Sequence, residues 1–176
     1  DTRTSGVVII AKTQISFDTL SQELKNEAFT KVYLAYCYNL GRKQKGVIST
    51  SIAHHPTKKS RMVLVRKGTK YRGKPQECKT YFEKISPEEA KNQWQSFLTN
   101  KIPFPSLPRA KKQFSWVLCH ITKGKRHQIR LHLKSIGYPI IGDTLYKPKV
   151  THLKLSFHAL YAIGLKKKEK SRFRVS

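Results

Sequence analysis

Residues 124–146 bring cationic side chains, histidines and one carboxylate together in a short stretch of chain. The spacing predicts a helix with an apolar stripe at Ile129, Leu133 and Ile136 and a basic stripe at Arg126, Arg130 and Lys134. We expect Gly137 to end this helix in a left-handed conformation. A basic helix face near a lone carboxylate, Asp143, suits chemistry on RNA, although an ordinary amphipathic surface helix would show the same spacing.

Carboxylates are scarce in this chain, so each one is informative. Ten Asp and Glu residues stand against 36 Lys and Arg, and their spacing indicates no paired general acid and base. A metal-dependent nuclease would need clustered carboxylates, which the sequence does not supply. Asp1 precedes a Thr4-Ser5-Gly6 turn and, from the residues alone, is better explained as a loop residue that caps this turn than as a catalytic group.

Separated blocks of the sequence form a recognisable set. Residues 124–132 and 137–146 follow the patterns G-R-T-H-Q-I-R-x-H and G-x-P-I-x-G-D-x-L-Y, residues 1–6 follow D-x-x-T-S-G, residues 31–35 follow K-x-Y-x-A, and residues 157–159 follow L-H-A with phenylalanine for leucine. These blocks, in this order, resemble those of the RluA-type pseudouridine synthases. Enzymes of that family convert particular uridines of ribosomal or transfer RNA to pseudouridine.

The resemblance implies catalytic roles for three residues. Asp1 matches the family's catalytic aspartate, which acts while the glycosidic bond of a uridine is broken, the base is turned and a bond to carbon is formed. Arg130 matches the basic residue that pairs with this aspartate and keeps it ionised; phosphate contact or solvent exposure is the alternative. Tyr33 matches a tyrosine that stacks on the base, with an ordinary core tyrosine of a strand as the alternative.

RNA binding is expected from the residues around this set, namely Lys125, Arg126, His127, Gln128 and Lys134. Asp143 is expected to order its loop and not to act in catalysis. The implied reaction needs no cofactor and no metal, and His54-His55 predict no metal site because adjacent side chains point to different sides of a strand. A target base in folded RNA would have to be flipped out.

The chain also departs from the family pattern. The family's aspartate follows H-R-L, whereas this sequence starts at Asp1, so we expect a catalytic domain that is truncated at its N-terminus. Lys125 stands in place of arginine, which keeps positive charge but loses a bidentate fork. We expect one domain at residues 1–165, with an extended segment of unassigned role at about 86–113, and a basic tail at 166–176.

The composition favours a polyanionic partner, and RNA in particular. The formal net charge is +26, an imbalance that is typical of proteins that bind nucleic acid. A non-catalytic basic RNA-binding protein, such as a ribosome-assembly module, explains this charge equally well. The sequence indicates no membrane association, because no apolar run approaches the ~20 residues that span a bilayer, and it indicates no obligate protein partner.

The cysteines indicate the compartment. Cys37, Cys78 and Cys119 are isolated and odd in number, so neither a disulfide framework nor a zinc site is predicted. We expect a reducing compartment, the bacterial cytoplasm in the first place, with an organelle as the alternative.

Hydrophobic periodicity predicts an α+β fold with a largely antiparallel sheet and a few flanking helices. The resemblance implies that this sheet is mixed and has a central cleft. The predicted helices cover residues 16–28, with Phe17, Leu20 and Leu24 facing inward, and residues 86–98, opened by a capping Ser86. The predicted strands are 6–11, which should be buried, 32–38, 47–53, 62–65, 79–85, 114–121 and 153–165. Residues 102–108 are too rich in proline for a central strand.

Overall fold

The computed structural model describes residues 3–98, 102–107, 113–146 and 155–168. Asp1 and the chain from residue 169 onward lie outside these ranges. Within them the helices are α1 (Gln14–Lys25), α2 (Pro87–Phe97) and α3 (Gln128–Ser135). The strands are β1 (Ser5–Gly6), β2 (Phe29–Tyr38), β3 (Lys45–His54), β4 (Met62–Val65), β5 (Arg72–Ile85), β6 (Phe114–Ile121) and β7 (Leu160–Lys167).

The strands form one sheet in the order β1-β7-β2-β6-β5-β3-β4. β1 pairs with β7 in parallel, and the other neighbours pair antiparallel. The predicted α+β class with a mixed, largely antiparallel sheet is therefore confirmed. β4 and β6 have their predicted bounds, whereas β5 begins earlier than predicted because its ladder with β3 continues to the pair of His54 with Arg72.

Alternation along β2 divides the sheet into two faces. Leu34 is paired with Tyr161, so these side chains share one face, while Tyr33 points to the other. α2 covers the Leu34 face, where the ring of Trp94 lies 5.6 Å from that of Tyr161. The residues that lead into α3 share a cleft with Tyr33 on the opposite face. The two faces thus have separate coverings, and α2 lies away from Tyr33.

α2 and the proline-rich segment form one aromatic cover. The helix opens with the predicted capping box, in which the Ser86 hydroxyl accepts from the Glu89 amide at 3.1 Å and the Glu89 carboxylate accepts from the Ser86 amide at 2.7 Å. The indole N–H of buried Trp94 donates to the Ile102 carbonyl at 3.0 Å. The Trp94 ring also meets the Phe104 ring edge-on. The described parts of the extended segment, 86–98 and 102–107, are therefore part of the scaffold.

The apolar run after Gly6 is not the buried strand that its composition predicts. Strand pairing ends at Gly6, and one further bond joins the Val7 amide to the Ala162 carbonyl at 2.8 Å. Val8 and Ile10 are 79% and 81% exposed. The prediction of burial is wrong because β1 is an edge strand, and no layer within the described ranges covers the run that follows it.

α1 confirms the predicted helix but packs loosely. It begins earlier than predicted because the Thr13 hydroxyl caps its first turn. Phe17, Leu20 and Leu24 face a cavity of about 350 Å³ between the helix and the sheet. No residue of α1 is buried, however, and Phe17 is 56% exposed. The predicted direction of these side chains is thus correct, whereas full burial is not reached.

The predicted last strand, residues 153–165, is partly wrong. Leu153 and Lys154 lie outside the described residues, 155–159 are not strand, and β7 starts only at Leu160. Instead, the Ala159 amide donates to the Ile141 carbonyl at 2.9 Å. This bond joins the chain just before β7 to the segment that follows α3.

Candidate active site

α3 is more deeply buried than a helix with a basic face would be. It begins at Gln128, so Arg126 lies in the preceding loop, and Gly137 follows it with φ +88° as the predicted left-handed cap. Arg130 is only 5% exposed, and Lys134 is exposed. The predicted basic stripe is therefore wrong, because Arg130 turns into the interior.

The buried Arg130 is paired with Asp143. Its Nε donates to Oδ2 and its Nη2 to Oδ1, both at 2.8 Å, and the two side chains are 6% and 1% exposed. Burial raises the pKa of Asp143, but the bonds and charge of Arg130, with the amides of Tyr146 and Leu145, outweigh it and lower the pKa. The bonds to these amides also order the loop. Asp143 accepts from two of the five N–H donors of the guanidinium, so this pair does not use all the hydrogen-bonding capacity of Arg130.

His127 enters α3 with a left-handed backbone, φ 58°, which is uncommon outside glycine. Its Nδ1 lies 2.7 Å from the Tyr146 hydroxyl, which accepts the Met62 amide at 2.8 Å. The Tyr146 hydroxyl also lies within donating distance of the Met62 carbonyl, at 3.4 Å. Burial, with the charges of Arg130 and Arg126, lowers the pKa of His127 to about 4. The ring is therefore neutral near physiological pH.

Gln128 ties the loop before α3 to strand β5. Its Oε1 accepts from the Lys125 amide at 3.0 Å, and its Nε2 donates to the Lys79 carbonyl at 2.9 Å and to the Thr80 hydroxyl at 3.0 Å. The Thr80 hydroxyl also meets Nδ1 of fully buried His132 at 2.8 Å. Gln128 is 2% exposed, so its amide is engaged inside the protein.

A cleft of about 300 Å³ joins this loop to β2. Thr4 and Tyr33 line it together with Lys125, Arg126 and His127. Tyr33 is half-buried, and burial raises the pKa of its phenol, which stays protonated. The register between β2 and β7 shifts next to Tyr33, and such irregularities redirect side chains near functional sites.

The segment that follows Asp1 is anchored by His158. The Thr4 hydroxyl lies 3.0 Å from Nε2 of His158. Burial, and then the charge of Arg130, lower the pKa of His158 to about 4, so this ring is neutral and lies within the field of Arg130. The predicted catalytic residue Asp1 lies outside the described residues, and Thr4 is three positions after it.

The predicted site residues that the structure describes fall into three places. Those that line the cleft are Tyr33, Lys125, Arg126, His127 and Gln128. Arg130 is buried against Asp143. Lys134 lines a different groove, between α3 and β4.

Two residues outside the predicted set help to build the site. The Tyr146 hydroxyl forms a hydrogen bond with His127, and the His158 ring forms one with Thr4. Tyr146 lies in the 137–146 block and His158 in the 157–159 block. In both blocks, a hydroxyl or imidazole among apolar residues was the sequence signal that could have identified a functional residue. Their partners are 19 and 154 positions away in sequence, and local spacing cannot show such contacts.

The described part of the chain offers little support for a metal site, a thiol nucleophile or a membrane-spanning helix. It contains no group of three or more His, Cys, Asp or Glu side chains arranged to hold a metal ion. Cys37, Cys78 and Cys119 are buried free thiols, and burial raises the pKa of Cys78 to about 11, which makes it a poor nucleophile. None of the helices in these ranges is long and apolar enough to cross a membrane.

The fold is that of pseudouridylate synthase domains. Human RNA pseudouridylate synthase domain containing 1 matches with a TM-score of 0.69 and 20% identity, over 94% of this chain and 60% of that one. Human RNA pseudouridylate synthase domain containing 4 matches with a TM-score of 0.58 and 17% identity, over 87% and 59% of the two chains.

The chain belongs to the RNA pseudouridylate synthase family, whose sequence model matches residues 1–135. Ribosomal large subunit pseudouridine synthase D of Nitrosomonas europaea is 30% identical over 148 residues, which cover 83% of this chain and 33% of that protein. An RNA pseudouridine synthase of Synechocystis sp., named as uncharacterized, is 27% identical over 165 residues, covering 92% and 42%. The chain thus spans less than half the length of these relatives, and the predicted family is confirmed.

Proposed function

We propose that this chain carries the catalytic domain of an RNA pseudouridine synthase that isomerises specific uridines of ribosomal or transfer RNA. The observation that carries the proposal is the cleft in which Tyr33 and the neutral His127 meet the cations of the loop before α3. The name of the Nitrosomonas europaea relative supports ribosomal RNA as the substrate class. The reaction is proposed to use no cofactor and no metal.

Asp1 is the proposed catalytic carboxylate. Three residues of chain span at most ~11 Å, so the Thr4–His158 contact limits where Asp1 can act. His158 lies in the field of Arg130. We assign to Arg130 the role of keeping Asp1 ionised, and to Asp143 the role of orienting Arg130, because a guanidinium can serve two carboxylates.

The other cleft residues are proposed to hold the nucleotide. The protonated Tyr33 would stack on the flipped base and take part in proton handling at its carbon. Lys125 and Arg126 would contact the flanking phosphates and offset part of the few kcal/mol that base flipping costs. Gln128, first predicted to touch RNA, is assigned a positioning role, because its amide holds the loop to β5.

The alternative is a non-catalytic RNA-binding protein, and the net charge of +26 fits that function equally well. The paired Arg130 and Asp143 favour the enzyme, because a buried ion pair adds nothing to an exposed phosphate-binding surface. For either function, three free cysteines fit a reducing compartment such as the bacterial cytoplasm.

Replacing the proposed catalytic carboxylate tests the function. Asp1→Asn in the intact gene product should abolish pseudouridine formation and leave RNA affinity within about tenfold, or ~1.4 kcal/mol, because the basic surface supplies binding. Primer extension on carbodiimide-treated ribosomal and transfer RNA would be compared between cells that lack the gene and cells that carry each variant.

Asp18→Asn, at an exposed carboxylate of α1, is the matched control and should retain activity. Retention of more than a few per cent of activity by Asp1→Asn would remove Asp1 from its role. Identical primer-extension stops with and without the gene would favour the RNA-binding alternative.

A further inference from the structure

A second groove lies between the edge strand β4 and helix α3. It encloses about 440 Å³ and is separate from the Tyr33 cleft. Leu64, Leu131 and Leu145 give it an apolar lining, and all three pack in a small core cluster around Met62 and Tyr146. We call it the β4 groove.

Three cations line the β4 groove. Arg61 and Arg66 stand at the two ends of β4, and Lys134 faces them from α3. In the described part of the chain none of the three forms an ion pair. Residues 55–74 contain eight Lys and Arg and no Asp or Glu. The groove is therefore an uncompensated positive site.

Short turns fix the backbone at both ends of β4. The Arg61 amide donates to the Lys58 carbonyl at 3.0 Å. The Arg66 amide donates to the Thr69 hydroxyl at 3.0 Å, and the Thr69 amide returns to the Arg66 carbonyl at 2.9 Å. At ~3.3 Å per residue the two arginines are roughly 17 Å apart along the strand, which spans several nucleotides of one RNA strand.

The groove is joined to the candidate active site by one side chain. Tyr146 lines the β4 groove, and its hydroxyl accepts the Met62 amide of β4 and bonds His127 of the cleft. A ligand seated in the groove would thus lie one side chain from the loop that faces the target uridine.

We infer that the β4 groove binds a stretch of the substrate RNA outside the target uridine, with phosphates on Arg61, Arg66 and Lys134 and a base against the leucines. The inference rests on the proposed function, and it adds an anchoring site beyond the catalytic cleft. Charge complementarity selects RNA, because phosphates match the cations and a flat base matches the apolar lining. A volume of this size accommodates a small organic group such as a base.

A charge-reversal pair tests the groove in the intact protein. Arg61→Glu/Arg66→Glu should weaken binding of a fluorescein-labelled stem–loop RNA by about tenfold or more, because two phosphate contacts are lost. The slope of log affinity against log salt should fall by about 0.7–0.9 for each contact. Fluorescence anisotropy over a salt series measures both.

Lys84→Glu/Lys91→Glu is the matched control, with the same change in net charge. Lys84 lies at the end of β5 and Lys91 on α2, both away from β4. The control should weaken binding clearly less than the groove pair. Equal loss of affinity in both pairs would overturn the inference. Poly-glutamate serves as a second probe, an acidic polymer that stands for an acidic protein partner. If the groove pair lost binding to poly-glutamate but kept its affinity for RNA, the inference would also be overturned.

Two further measurements keep the outcomes separate. If the double variant does not fold, the single Arg66→Glu at an exposed position replaces it, and unchanged affinity there would count against the groove. Pseudouridine formation by the wild-type protein is scored independently. Its absence would overturn the proposed function while the groove is still judged by RNA affinity alone.

Discussion

Arg130 is a buried charge that pairs with another buried charge, Asp143. Such a pair contributes little net stability compared with apolar residues of the same size, but removing one partner is costly because the other ion stays buried and loses the opposite charge beside it. The pair therefore makes the proposed chemistry and the stability of α3 depend on the same two side chains.

Asp143→Asn should lower the free energy of unfolding by roughly 3–5 kcal/mol, because Arg130 keeps its charge in the interior. Arg130→Ala should lose most pseudouridine formation, and Arg130→Lys should restore part of it, because charge returns without the bidentate fork. Denaturant unfolding and single-turnover pseudouridine formation measure the two effects.

Lys167→Ala provides the control for this prediction. Lys167 pairs with Glu23 at 2.6 Å, but its side chain is 63% exposed, so the loss should stay within about 1 kcal/mol. Full activity of Arg130→Ala would reassign Arg130 to a structural role alone.

Residue types predicted much of the cleft but not its pairings. Tyr33 and the basic loop were identified from motif blocks, and the structure brings them together. The burial of Arg130 was missed, because a helical period shows which residues share a face but not which face the fold covers. The contacts of Tyr146 and His158 depend on chain segments that meet only in three dimensions.

Among the elements, those with strict patterns and clear stops were predicted best. β4, β6 and the capping box of α2 match their expected places. The run after Gly6 shows the limit of this approach, since an apolar segment indicates that burial is favourable and cannot show what packs against it. The same reason explains why α1 faces the sheet without becoming buried.

α2 is expected to stabilise the sheet without entering the chemistry. Trp94→Ala should cost about 3–5 kcal/mol of unfolding free energy, because the buried ring loses its contacts with Phe104 and Tyr161 and its indole bond. At a temperature where the variant is folded, its single-turnover rate should match wild type, because α2 lies on the face away from Tyr33. Thermal unfolding and the rate assay check both statements.

Gln95→Ala, at an exposed position of α2, should change stability by no more than about 0.5 kcal/mol. A folded Trp94→Ala protein that had lost activity would show that the helix contributes to the site.

For the whole molecule, three buried neutral histidines should govern stability in mild acid. The pKa of each of His127, His132 and His158 falls from 6.5 to about 4, with burial as the main cause. Below pH ~6.5 these three rings therefore bind protons in the unfolded chain but stay neutral in the folded chain. Stability is complete above this pH and is lost as pH falls toward 4, by about 1.4 kcal/mol per pH unit for each ring.

Denaturant unfolding at several pH values between these limits measures the effect. His158→Gln should lower the slope of unfolding free energy against pH by the contribution of one ring, about 1.4 kcal/mol per pH unit. Asp143 contributes in a separate range, because its pKa is lowered from 3.8 and its stabilisation is lost only at more acidic pH. A stability that did not change between pH 6.5 and 4 would contradict the burial of neutral imidazoles.

The parallel pairing of β1 with β7 has a consequence for the order of events during synthesis. Ser5 and Gly6 are made before β2 to β6, whereas their partners Tyr161 and Ala162 leave the ribosome only after these strands. The antiparallel strands β3, β4 and β5 can pair earlier, with the basic turns between them, because they lie closer in sequence. On the proposed function, the basic turns beside β3 would be available to RNA before Ser5 and Gly6 have a strand to pair with, and catalysis would have to wait until β7 is made.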